Sequence, residues 1–222
     1  SNSSTNLLDS MPEKVKKVLE SISKNGIDGT TALIKGKFKG QFQSLGYSVS
    51  GRVIAVGEDV KSFRAGDLVA CAGAGIANHS DFVCVPENLV VRISDKQFLK
   101  SASLTTIGAI ALQGIRRANL QLGETVCVIG LGLIGQITVQ LAKASGCKVV
   151  GIDIIDERLE LAKKFGADKT YNSNSCDSEK DIEFWTHHYG VDCTIITAAS
   201  SSEAIIAQAM NVTRKRGKVV VV

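Results

Sequence analysis

With 222 residues, the chain has room for one large domain or two small ones. Its 44% hydrophobic and 22% charged residues are those of an ordinary globular chain, and a net charge of only +4, with Lys and Arg mixed among acids, argues against a nucleic-acid footprint. The opening is not a basic-then-apolar leader, no run of about 20 apolar residues would span a membrane, and the six cysteines never form CxxC, so a cytoplasmic protein with free thiols and no membrane partner is expected.

Ser1-Asn2-Ser3-Ser4-Thr5-Asn6 is polar and reads as a disordered end. Pro12 suits the first position of a helix over residues 13–23, whose apolar face is Val15, Val18, Leu19 and Ile22. A second short helix is expected around Thr31, Ala32, Leu33 and Ile34. The period then changes. Residues 47–57 alternate like a strand and end at Gly57. Turns around Glu58-Asp59 and Ala65-Gly66-Asp67 lead to a strand at Leu68-Val69-Ala70-Cys71. After a glycine-containing loop over 72–79, strands are expected at Asp81-Phe82-Val83-Cys84-Val85 and Leu89-Val90-Val91-Arg92-Ile93. Short strands so closely spaced indicate a small β barrel or meander. Helical signals resume over 101–118.

The stretch Val126-Cys127-Val128-Ile129-Gly130-Leu131-Gly132-Leu133-Ile134-Gly135 runs an apolar strand into glycines spaced GxGxxG. Gly130 suits a tight turn, Gly132 a close backbone approach by a pyrophosphate, and Gly135 close packing of helix on strand. The N–H groups of Leu133 and Ile134 would point at phosphate oxygens from the helix N-terminus. The helix carries one apolar stripe, Gly146 closes it, and the next strand ends at Asp153, about 20 residues on, where a ribose-hydroxyl acceptor belongs. Strand, glycine turn, helix, strand and terminal acid together specify a dinucleotide site.

Beyond Asp153 the units repeat. A helix over 156–165, a short strand at Lys169-Thr170-Tyr171, an amphipathic segment over 177–189 and an apolar strand over 191–197 follow. Ser202 caps a helix through Met210, and Gly217 leads to Lys218-Val219-Val220-Val221-Val222. Alternation of β and α at this spacing predicts a doubly wound parallel sheet. The valines read as a strand buried on both faces. Ending on such a strand suggests an internal fragment of a longer protein. Its bare edge would recruit a second copy, giving a homo-oligomer.

Three stretches resemble the medium-chain dehydrogenase/reductase (alcohol dehydrogenase) superfamily. They are Val53-Ile54-Ala55-Val56-Gly57 with Phe63-Arg64-Ala65-Gly66-Asp67-Leu68-Val69, then Asp81-Phe82-Val83-Cys84-Val85-Pro86, and then Gly123-Glu124-Thr125-Val126-Cys127-Val128-Ile129-Gly130. The segment from Met11 to Tyr47, with 107–116 and 214–218, is similar to bacterial bi-domain oxidoreductases often linked to polysaccharide gene clusters. The resemblance implies an α/β fold: a Rossmann sheet preceded by a truncated GroES-like β barrel with a helical segment. The domains would be 1–100 and 101–222, the second C-terminally incomplete, and a C-terminal oxidoreductase half would be missing.

The resemblance also marks departures. Zinc-using members place a His-Glu pair after the glycine that begins the barrel strand; here Gly46 is followed by Tyr47-Ser48, and a further ligand position falls at Thr105. Tyr, Ser and Thr hydroxyls are poor zinc ligands, so no metal is expected. Tyr47, Ser48 and Thr105 become the candidate catalytic set for a zinc-independent hydride transfer between nicotinamide and a carbonyl or alcohol of a small-molecule substrate. The cofactor set is Gly130, Gly132, Leu133, Ile134, Gly135, Asp153, Arg158, Thr197 and Ala198. Asp153 favours NAD, whereas Arg158 beside the ribose would tolerate NADP. The alternative is a non-catalytic nucleotide-binding module supporting the second half. The three histidines read as surface residues.

Overall fold

Alternating small and β-branched residues fold the first described stretch into antiparallel strands in the computed structural model, which describes residues 45–199 and 202–222. β1 (Ser48–Arg52), β2 (Leu68–Ala72) and β3 (Val90–Arg92) pair in the order β1-β2-β3. Val49, Val69, Cys71 and Val90 face one small core with Ala77, Phe63 and Val85. The helices expected within 13–39 lie outside the described residues.

Two expected strands are shorter or absent. Residues 53–57 leave the ladder after β1, and 81–85 join none. Their alternation needs a neighbouring strand on which to bury its apolar side, and no described residue supplies one. Ile54 is consequently 68% exposed and Phe82 74%.

The helical stretch expected over 101–118 is two helices, α1 (Leu99–Ala102) and α2 (Thr105–Ala118), bent sharply at Ser103-Leu104. The Ser48 hydroxyl on β1 donates to the Ser103 carbonyl at 2.6 Å and accepts from the Thr106 N–H at 3.3 Å, which fixes the break. The far end of α2 stops at Asn119 in a left-handed conformation (φ 49°), and the Lys218 ammonium donates to the Ala118 carbonyl. No single helix among the described residues is long and apolar enough to cross a membrane.

The second sheet is wholly parallel. β4 (Thr125–Ile129), β5 (Lys148–Asp153), β6 (Lys169–Asn172), β7 (Val191–Ile196) and β8 (Thr213–Val221) pair in the order β6-β5-β4-β7-β8. The intervening helices are α3 (Leu133–Ala144), α4 (Asp156–Lys164), α5 (Ser178–Trp185) and α6 (Glu203–Val212). Alternate residues of each strand feed two cores. Val126, Val128, Val149 and Ile195 pack with α2, α3 and α4; Cys127, Ile129, Val150, Ile152 and Ile196 pack with α5 and α6. This is the doubly wound sheet that the βα alternation predicts, and it joins the small sheet in one unit, Gly46–Val222.

Cys127 and Cys193 are the small buried hydrophobes their patterns imply; burial pushes the Cys193 thiol up to about 11. At the amino ends of the strands, Asp192 accepts from the Thr125 N–H and from Arg214, and Asp168 does the same for the Val149 N–H and Lys143. β8 departs from expectation. It pairs with β7 alone, so Val219 and Val221 are 38% and 72% exposed rather than buried on both faces.

Candidate active site

The strand order reverses between β4 and β7, and a doubly wound sheet opens its crevice at that point, beyond the carboxyl ends. The glycine loop leaves β4 there. Gly130 has φ 91°, and a Cβ on it would lie 2.6 Å from the Ala198 nitrogen after β7. A Cβ on Gly135 would lie 2.0 Å from the Gly130 carbonyl oxygen. Both are glycines because the chain itself leaves no room. Gly132 differs: its backbone is ordinary (φ −68°, ψ −165°), and a Cβ there would meet nothing within 4 Å. Nothing in the fold requires glycine at 132. It is the N-cap of α3 and offers no side-chain cap. Among the described residues the N–H groups of Leu133, Ile134 and Gly135 have no hydrogen-bond partner. Three unpaired donors at the positive end of a helix therefore border an open space.

Asp153 ends β5 beside this loop with its side chain only 4% exposed. One carboxylate oxygen accepts the N–H groups of Ile154 and Ile155 at 2.8 and 3.0 Å; the other accepts the Leu131 N–H at 2.6 Å. Arg158, half-exposed on α4, reaches that second oxygen at 3.5 Å. The acid assigned to a ribose thus also ties the glycine loop to β5. Each oxygen takes two donors, and the second has the weaker of them in Arg158 at 3.5 Å. Thr197 donates its hydroxyl to the Gly130 carbonyl at 2.5 Å and its N–H to Ile129 at 2.9 Å, so Thr197 and Ala198 form the β7 wall of the crevice.

Of the candidate catalytic set, Ser48 is tied to the helix turn that carries Thr105. Tyr47 immediately precedes β1, and Ser48, which starts it, is bonded across to the first turn of α2, where Thr105 lies exposed. The Ser48 proton is committed to the Ser103 carbonyl, which leaves the Tyr47 and Thr105 hydroxyls as the accessible donors. His79 is exposed, as the sequence reading has it, but it also lies at this corner. Its ring packs against Gly46 (φ 90°), where a Cβ would come 2.3 Å from the imidazole Cδ2. A ring-sized space at a positive-φ glycine leaves no short-range sequence signal. His187 and His188 lie far along the chain after α5, His188 against Glu183. A broad cleft of about 1030 Å³ opens at the amino ends of β4 to β7, lined by Lys148, Tyr171, Trp185 and Arg214. It is at the wrong end of the sheet for the crevice.

Comparison with known proteins places this geometry. Residues 15–95 match the family described as alcohol dehydrogenase GroES-like domain, and residues 134–222 match the family described as zinc-binding dehydrogenase. The chain belongs to the alcohol dehydrogenase-like medium-chain dehydrogenase/reductase superfamily. The D-guloside 3-dehydrogenase of Escherichia coli is 37% identical over 161 residues, 72% of this chain and 45% of that protein. The NAD-dependent alcohol dehydrogenase of Sulfurisphaera tokodaii is 30% identical, covering 81% of this chain and 59% of that protein. The chain thus spans about half the length of the curated relatives it matches. Among solved structures, 2R,3R-butanediol dehydrogenase from Bacillus subtilis superposes with a TM-score of 0.71 at 25% identity, covering 80% of this chain and 57% of its own. An alcohol dehydrogenase superfamily protein from Novosphingobium aromaticivorans gives 0.69 at 28%, covering 80% and 54%.

One family description carries zinc, and the residues at the corresponding corner do not fit it. They are a phenol, two alcohols, one of which is spent on the α2 cap, and one imidazole, His79. No three His, Cys, Asp or Glu side chains among the described residues group to hold a metal ion. The first 44 residues contain neither His nor Cys. The bonds of Ser48 also make a prediction. Ser48→Ala should lower stability by about 1 kcal/mol in denaturant melts, the usual cost of a lost helix cap. An unchanged midpoint would return that hydroxyl to the set of free proton donors.

Proposed function

We propose that this chain is the nucleotide-binding part, with some of the substrate-binding part, of a zinc-independent NAD(P)-dependent oxidoreductase that moves hydride between nicotinamide and an alcohol or carbonyl of a small molecule. The observation that carries the reading is Gly132, a glycine that neither φ nor packing demands, beside three unpaired helix N–H groups. A pyrophosphate accounts for both: it needs the missing Cβ and the donors. The relatives named as dehydrogenases support the reaction class.

The dinucleotide, when bound, supplies the hydride acceptor or donor. The protein's own residues hold and orient it. Leu133, Ile134 and Gly135 would bind phosphate oxygens, and Thr197 and Ala198 would wall the crevice toward the nicotinamide. The Asp153 oxygen that Arg158 reaches would take a ribose hydroxyl in place of that contact, favouring NAD, while the released Arg158 can meet the 2′-phosphate of NADP. Tyr47 and Thr105 would polarise or protonate the substrate oxygen, with the His79 imidazole at the same corner able to donate or accept a proton. In this reading residues 1–100 serve the substrate side and 101–222 the nucleotide. The open edge of β8 serves self-association or a further half of the polypeptide.

The capture of Ser48 by α2 favours a second reading, a nucleotide-binding module without catalysis. Single-turnover absorbance of bound NADH against candidate carbonyls separates the two. Gly132→Val is the test of the site: it should fold normally, since no atom opposes the side chain, and weaken NADH binding by about tenfold or more. A folded variant with unchanged affinity would remove the pyrophosphate from this loop. Elemental analysis of protein purified without added metal should find well under one zinc per chain; a stoichiometric tetrahedral site would overturn zinc independence.

A further inference from the structure

Gln136, on the first turn of α3, is only 6% exposed. Its side-chain amide donates to two carbonyls from separate elements, Leu131 in the glycine loop at 3.0 Å and Arg158 on α4 at 2.8 Å. These bonds fix the orientation of the amide, since only the NH2 can serve two carbonyls. The cost is visible on the other side: the Gln136 Oε1 is buried and has no partner among the described residues. A buried acceptor left so is destabilising, and a methionine of similar shape would avoid it. The amide is retained at a position where packing alone would favour an apolar residue.

The Leu131 peptide sits at the centre of the arrangement. Its N–H is held by Asp153 and the following C=O by Gln136, so the backbone leading into Gly132 is gripped on both sides. The Leu131 side chain is fully buried over Gly151, where a Cβ would come within 2.9 Å of it. Through the Arg158 carbonyl, the same amide sets where α4 starts relative to that loop. Arg158 in turn carries the guanidinium that contacts Asp153.

Resting on the dinucleotide reading above, we infer that Gln136 is a positioning residue that couples the pyrophosphate loop to the ribose end of the site, holding Gly132 and Arg158 in one fixed relation. It touches no cofactor itself. Its amide pre-organises the loop before binding, and it makes the choice between a 2′-hydroxyl and a 2′-phosphate depend on the loop's geometry. Without the amide, the loop and α4 move independently, and Arg158 loses its register on the ribose.

The test is a double-mutant cycle on the 222-residue chain, with NADH and NADPH affinities measured by fluorescence titration. Gln136→Met should remain folded by thermal melt and weaken NADH binding by about tenfold. Arg158→Ala should change the NADPH:NADH affinity ratio by about fivefold in the original chain and by less than about twofold in the Gln136→Met background. A merely structural Gln136 would leave the effect of Arg158→Ala the same in both backgrounds, and that result overturns the inference. If Gln136→Met fails to fold, Gln136→Glu decides. A buried carboxyl stays protonated to higher pH than usual, and only its protonated form can donate to a carbonyl. NADH affinity of Gln136→Glu should therefore recover as pH falls from about 8 to about 5, over which the original chain stays flat; equally flat behaviour of the variant overturns the coupling. An original chain that binds neither dinucleotide overturns the reading of the site, and the role of Gln136 with it.

Discussion

The structure depends on how the chain leaves β4. Between Ile129 and Gly132 it must turn sharply, pass against the end of β7, and begin a helix whose first donors face outward. Gly130 allows the contact with Ala198 because it has no Cβ and sits at positive φ. Asp153 holds the next peptide from the neighbouring strand, and Thr197 holds the Gly130 carbonyl from the other side. The turn is therefore braced by β5 and β7, the two strands that flank β4 in the sheet. A helix N-terminus presented by a braced turn is a pre-organised anion site, and pre-organisation is where affinity for a charged ligand comes from.

The rest of the fold carries that turn. Alternate side chains of β4 feed opposite cores, so the strand is immobilised from both faces. The α2 helix connects the two sheets: it starts under Ser48 on β1, and its later turns pack on β7 and the end of the chain, where a Cβ on Gly114 would come 2.7 Å from Val222. This strut fixes the distance between the hydroxyls of the small sheet and the crevice of the large one. Its position explains why a serine at a ligand-equivalent place is spent on a helix cap: the geometry of the strut requires a bond there.

Much of this was legible in the residues. The glycine spacing, the apolar run of β4 and the acid closing β5 located the strand–turn–helix–strand unit, because each reports a local backbone need. The strands expected at 53–57 and 81–85 were legible as patterns but not as structure, since alternation records which side is apolar and not whether a neighbour is present. The valines of β8 misled in the same way: an unbroken run suggests two covered faces, and β8 has one strand neighbour. The long-range bonds were not legible at all. Gln136 reads as one polar residue on an amphipathic helix, and its two carbonyl partners are brought to it only by the fold. The same is true of His79 against Gly46 and of the Leu131 N–H held by Asp153. The Gln136–Arg158 and Leu131–Asp153 contacts each span 22 residues, which leaves no periodic trace.

The central claim is that a dinucleotide lies with its pyrophosphate on the first turn of α3. An amide-resolved NMR titration of the chain with NADH tests it most directly. The account predicts that the largest shifts fall on Gly132, Leu133, Ile134 and Gly135, with a second group at residues 153–158 and a third at Thr197 and Ala198. Shifts confined to the cleft around Trp185 and Arg214 at the opposite end of the sheet, or no saturable shifts at all, would contradict it.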